Sequence, residues 1–211
     1  MNHDSSLPRR LLSTTRAKAA AVAVAVITAA AAGVGLAANA GAATSVASPF
    51  SFALVPSTGI TACLPHAAGR ATITPGSLND TMKVSVSGMP ANTGFDLFVT
   101  QTPTPPNVGL SWYQTDIQAG SAGTGSATVR GVFNKETFSV SAGGTVTFSP
   151  THQYHLGLWF NDPTVPFNLG CEPGATTPII TPFNGEQNAG IQVLNTAEFP
   201  VNAGPLSHVS H

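Results

Sequence analysis

The sequence predicts an all-β fold, an immunoglobulin-like antiparallel β-sandwich carrying one long Pro-rich loop, and three observations predict it. Apolar and polar residues alternate at period two in many short runs, the mark of strands with one buried face. Turn-forming residues separate those runs at spacings of roughly 8–15 residues, as a sandwich requires. Beyond residue 40, no window carries a sustained 3.6-residue apolar period with caps, so helix is expected to be minor.

The chain has 211 residues, and its beginning differs in character from the rest. Residues 1–18 are polar and basic, with Arg9, Arg10, Arg16 and Lys18. Residues 19–38 are an uncharged, Ala-rich run, and Ala38-Asn39-Ala40 fits the small-x-small cleavage pattern. Basic, apolar and small-residue regions in that order predict a signal peptide over 1–40, and hence secretion. A twenty-residue run also meets the length for a membrane anchor. The run is mostly Ala, however, and Gly33 and Gly35 precede the cleavage site, which favours the signal. Arg9-Arg10 raises twin-arginine export, although Leu11-Leu12-Ser13 matches that motif poorly. Residues 41–49 read as a flexible lead-in and 50–211 as a single β domain.

Charged residues make up 8% of the chain, against roughly 25% in average proteins. From Gly41 onward the bases are Arg70, Lys83, Arg130 and Lys135, set against eight acids. A chain so poor in Lys and Arg has no phosphate-neutralising stripe, which argues against nucleic acid. It also lacks a polybasic patch, so no membrane contact is expected once the signal is removed.

In the β domain, Met82, Val84 and Val86 share one face while Lys83, Ser85 and Ser87 share the other. Phe95, Leu97 and Val99 repeat the pattern, as do Tyr154, Leu156, Leu158 and Phe160. Further strands are expected at 50–55, 70–74, 110–117, 127–133, 137–140, 145–148 and 189–195. Two packed sheets are the simplest way to bury one face of each, with a closed barrel as the alternative. Two segments break the rhythm: Thr102-Pro103-Thr104-Pro105-Pro106-Asn107, and residues 161–188 with five prolines. Proline has no N–H to give a ladder, so neither segment belongs in a central strand.

Cys63 and Cys171 are the only cysteines. In an exported protein such a pair is most simply a disulfide. It closes a loop of about 109 residues, which in the chain-entropy model is worth on the order of 4–5 kcal/mol. Its expected role is to pin the 161–188 loop against the segment after the first strand.

Catalytic motifs are sparse. No G-x-S-x-G occurs, and the disulfide removes the cysteine nucleophile. His152-Gln153-Tyr154-His155 is an H-x-x-H with Asp162 seven residues on, the basis of a metal-assisted hydrolase reading. On a strand, residues three apart point to opposite faces, so convergence needs His152 in the turn begun by Pro150. Against that reading, both histidines serve as ordinary strand-edge or hydrogen-bonded residues. Asp96 and Asp116 are the acids set within strand patterns; paired carboxylates hydrolyse glycosides only at particular separations, which sequence does not give. No cofactor is expected. His208 and His211 are expected in a frayed tail.

Aromatic residues offer a different class of function. Trp159 shares a strand face with His155 and Gly157, opposite the Leu156/Leu158 face. If the latter is core, the Trp159 ring is free to stack on a sugar or a partner; alternatively, the 161–188 loop covers it. Trp159, Trp112, His155 and Asp162 are therefore the candidate binding residues.

Three stretches carry a resemblance: Gly88-Met89-Pro90-Ala91-Asn92-Thr93-Gly94-Phe95-Asp96-Leu97-Phe98-Val99, Ser111-Trp112-Tyr113-Gln114-Thr115-Asp116, and His155-Leu156-Gly157-Leu158-Trp159-Phe160-Asn161-Asp162. They resemble secreted β-domain proteins of high-GC Gram-positive bacteria, over most of residues 60–206. The resemblance implies export and a β domain and supplies no catalytic residue. The expectation is a secreted, non-catalytic protein that binds glycan or another protein at the cell envelope or in the medium. A metal- or carboxylate-dependent hydrolase and a purely structural surface protein are the alternatives.

Overall fold

The computed structural model describes residues 47–106, 108–133, 138–140, 146–148, 152–182 and 188–209. The signal-peptide reading of 1–40 lies outside them, as does His211. Among the described residues, no helix is long and apolar enough to cross a membrane.

Among the described residues, ten strands form in chain order: β1 (Phe50–Pro56), β2 (Ala68–Thr74), β3 (Asp80–Ser87), β4 (Gly94–Thr100), β5 (Ser111–Gln118), β6 (Gly125–Gly131), β7 (Phe138–Val140), β8 (Val146–Phe148), β9 (His155–Phe160) and β10 (Gln192–Asn195). The helical pieces are short: α1 (Ile60–Cys63), α2 (Thr164–Asn168) and a single 3₁₀ turn at Pro205–His208. The strands join in the order β6-β3-β2-β1-β10-β9-β4-β5-β7-β8, and every pairing is antiparallel.

The fold is therefore all-β and antiparallel, built as one sheet that nearly closes on itself. β1 makes the bend. Its residues from Phe50 to Leu54 pair with β2, whereas Val55 and Pro56 pair with β10. A strand that changes partner along its length turns a corner between two layers. At the other end, β5 and β6 lie side by side, joined by the turn at 119–124. Gly123 makes that turn possible: its φ is +67°, and a Cβ there would collide with the Met89 carbonyl.

The period-two runs bury one face into a shared interior. Leu54, Ile73, Met82 and Val84 from one half meet Phe95, Leu97, Leu156, Leu158, Phe160 and Leu194 from the other in one cluster. The tail closes this core rather than fraying from it. Leu206 and Val209 are buried, and the exposed His208 packs edge-on against Phe50. Apolar burial outweighs the entropy of ordering those residues, a gain invisible in the local pattern around His208.

The disulfide joins Cys63 at the end of α1 to Cys171 just beyond α2, with Cα atoms 5.1 Å apart. It holds the start of the Pro-rich loop against the segment after β1, as expected. Residues 164–168 of that loop wind into α2, an element the proline content obscured. Asp162 Oδ1 opens it by accepting hydrogen bonds from the Thr164 N–H at 2.8 Å and hydroxyl at 2.7 Å.

Candidate functional site

β4, β9 and β5 divide their side chains between the main core and an outer face. Phe95, Leu97 and Val99 point inward with Leu156, Leu158 and Phe160. Asp96 and Phe98 stand on the outer side with Trp159. A bulge between Leu97 and Phe98 places Phe98 opposite Tyr113 and Val99 opposite Trp112.

This division separates the two tryptophans. Trp112 packs half-buried against the main core, next to Val99. Trp159 is 1% exposed on the other face, in a second small cluster with Phe98, Ala189 and Val108. Its ring meets Phe98 edge-on at 5.6 Å and lies so close to Gly157 that a Cβ there would strike it. Val108, just past the first irregular segment, and Ala189, just past the second, pack against it. A Trp159 ring free to stack on a ligand is thus not what forms, because apolar surface of that size gains more from being covered.

His155 is likewise internal, with no exposed surface. Its Nε2 lies 3.0 Å from the Val201 carbonyl and its Nδ1 3.0 Å from the Thr196 hydroxyl. Burial pushes its pKa below the ordinary histidine value, against backbone hydrogen bonds that pull it up. The ring therefore ties the 196–201 turn to β9. Asp162 is exposed and engaged with Thr164. His152, the other member of the H-x-x-H, precedes β9 with φ +53° and has Nδ1 2.9 Å from the Tyr154 hydroxyl. Among the described residues, no three His, Cys, Asp or Glu side chains gather as a metal site would require. The candidate residues are thus dispersed: Trp112 inward, Trp159 and His155 buried, Asp162 exposed and bonded to Thr164.

Two arrangements that sequence did not assemble are present instead. One is an acid pair. Asp96 and Asp116 are directly opposed partners on β4 and β5, so their side chains lie next to each other on one face of the sheet. Asp96 is buried and its Oδ1 accepts from Asn161 Nδ2 at 2.8 Å. Asp116, at the exposed edge, accepts from the Tyr113 hydroxyl at 2.7 Å. Burial raises the Asp96 pKa to about 6; the Asn161 bond opposes the shift and Asp116 reinforces it. Burial first, and Asp116 second, push the Tyr113 hydroxyl above the ordinary tyrosine range. A negative charge on Asp116 works against ionisation of Asp96 beside it.

The other arrangement is a groove of about 500 Å³ lined by Gln101, His152, Tyr154, Val201 and Asn202. Local backbone sets its walls. The Tyr154 carbonyl accepts from Leu206 N–H at 3.0 Å, which draws the C-terminal segment alongside. Gly204 is required there, since a Cβ would collide with that same carbonyl. The His152 and Tyr154 rings lie 5.6 Å apart. Behind the neighbouring loop, a buried polar network joins distant segments: Ser57 donates to Gln192 Oε1 at 2.9 Å, and Gln192 Nε2 donates to the Pro103 carbonyl at 2.9 Å. Asn195 Nδ2 donates to Ser57 at 3.0 Å and to Gln192 Oε1 at 2.9 Å. Every heavy atom of this kind that is paired avoids a desolvation cost of about 1–3 kcal/mol, so the Pro-rich 102–106 segment is held in place.

No family model matches the chain. No curated protein matches it either.

Proposed function

We propose that this is a secreted, non-catalytic β protein that binds glycan, at the cell envelope or in the medium, through the Gln101/His152/Tyr154/Asn202 groove. The observation that carries this reading is the groove itself: an aromatic pair beside two amide side chains in an open recess of about 500 Å³. Rings offer flat apolar surface to the C–H face of a sugar, and amides donate to and accept from its hydroxyls. Few polar groups converging on a concave surface is the general form of a small-ligand site.

Secretion, with 1–40 as the signal, forms part of the same proposal; a disulfide suits an oxidising compartment. So do the kinship with secreted β-domain proteins of high-GC Gram-positive bacteria and the immunoglobulin-like sandwich, for which the partner change in β1 is the supporting feature.

Pull-down on insoluble cell-wall polysaccharide, with a glycan array, tests the site. Tyr154→Ala and Asn202→Ala are expected to reduce binding about tenfold or more, a loss of roughly 1.4 kcal/mol or greater, while Trp112→Phe leaves it unchanged. Retention of full binding by a folded Tyr154→Ala/Asn202→Ala variant would exclude the groove.

A further inference from the structure

We propose that the Asp96–Asp116 pair is a proton-operated clasp that holds Tyr113 as a cover over the Phe98–Trp159 aromatic cluster and releases it as the medium becomes less acidic. The parts form a chain of contacts on one outer face. Asp96 and Asp116 share a rung of the β4–β5 ladder. Asp116 accepts the Tyr113 hydroxyl at 2.7 Å. The Tyr113 ring sits edge-on to Phe98 at 5.5 Å, and Phe98 sits edge-on to Trp159 at 5.6 Å. Tyr113 is 46% exposed, so it is the outermost of the three rings and the one free to move.

The groups that face Asp96 come from two neighbouring strands: Asp116 and Tyr113 on β5, and Trp159 on β9 with Asn161 just past its end. None of these is cationic. With one proton between them, the two carboxyls hydrogen-bond across the rung and Asp116 is drawn inward. When that proton leaves, two negative charges face each other with no base to offset them. Asp96 is buried and keeps its Asn161 donor, which favours the ionised form. Asp116 is exposed and is the partner that moves to water, carrying the Tyr113 hydroxyl with it. The bulge at Gln114, between Tyr113 and Thr115, allows that edge to shift without breaking the ladder. Proton loss then uncovers Phe98, the ring against which Trp159 packs, and loosens that cluster toward water.

Acrylamide quenching of Trp159 fluorescence tests the clasp in the Trp112→Phe background, with chelator present. Quenching is expected to rise about twofold between about pH 5 and pH 7.5 as the clasp ionises. Asp96→Asn, which copies the protonated acid, is expected to hold quenching at the low value across that range. A second reading uses the unmodified protein: the Tyr113 ring resonances are expected to titrate with the same midpoint as the Asp96 carboxyl carbon. Quenching that ignores pH, an Asp96→Asn protein that responds like its parent, or Tyr113 resonances that do not follow Asp96 would each overturn the proposal. So would a response that appears only on adding calcium, since the carboxylates would then be bridging a cation.

Discussion

Asp96 and Asp116 stand opposite each other on β4 and β5, one buried and one exposed, and burial raises the pKa of the inner carboxyl to about 6. An acid whose folded pKa lies above its unfolded value of 3.8 binds its proton more tightly in the fold. Its contribution to stability is therefore complete below about pH 4 and is lost as pH rises through about 6.

Asp96→Asn places a neutral isostere at that position. Relative to the parent, the variant is expected to gain about 1–2 kcal/mol at neutral pH and to gain little near pH 4. That figure is reduced from the full shift because Asp116 is exposed and screened. Urea unfolding of both proteins across this range checks it; a stability difference that stays constant with pH would contradict the raised pKa.

His155 acts with the opposite sign. Its folded pKa is lowered by burial, so the unfolded chain takes up a proton first as pH falls below about 6.5. Acidification therefore costs stability through His155 while it adds stability through Asp96. In the Asp96→Asn background, the urea midpoint is expected to fall with acid below that value. His155→Gln in the same background is expected to flatten the slope, even though removing the ring lowers stability at every pH.

Trp159 is a packing residue, and its truncation is expected to cost more than that of Trp112. Trp159→Ala should lose about 3–5 kcal/mol as a fully buried large-to-small change. Trp112→Ala, from a half-buried position, should lose distinctly less. Gly157→Ala probes the same contact from two residues earlier on the same strand, with an expected loss of about 1–3 kcal/mol through overpacking. Thermal unfolding of the three variants ranks them, and equal losses at the two tryptophans would refute the assignment.

The Cys63–Cys171 bond is expected to contribute about 2–4 kcal/mol. The Cys63→Ser/Cys171→Ser protein should show that loss in urea, and added reductant should bring the parent to the same midpoint. Parent and variant midpoints that coincide without reductant would mean the link adds nothing.

The strands were legible because alternation is a local signal: a residue such as Val84 reports its burial through its neighbours Lys83 and Ser85. Each of the ten expected strands has its counterpart, with boundaries moved by one or a few residues, as at Gly125–Gly131 and Gln192–Asn195. Cysteine pairing was legible by count alone. Much less of the candidate site could be read. Asp96 and Asp116 are twenty positions apart, and the bulge at Gln114 shows which face each shares only once β4 and β5 are paired. The groove joins residues as distant as Gln101 and Asn202, which no spacing rule connects.

The sequence by itself determined an antiparallel β domain stapled by one disulfide, because strand periodicity and a lone cysteine pair are properties of the chain read in order. Only the tertiary structure decided what that staple and the two Pro-rich segments surround. Burial of Trp159 depends on Val108 and Ala189 arriving from far along the chain, and the raised pKa of Asp96 depends first on its burial in the packed fold and then on Asp116 facing it across a ladder rung. Desolvation and charge proximity are properties of three-dimensional neighbours, so the chemistry of this protein begins where its strands meet.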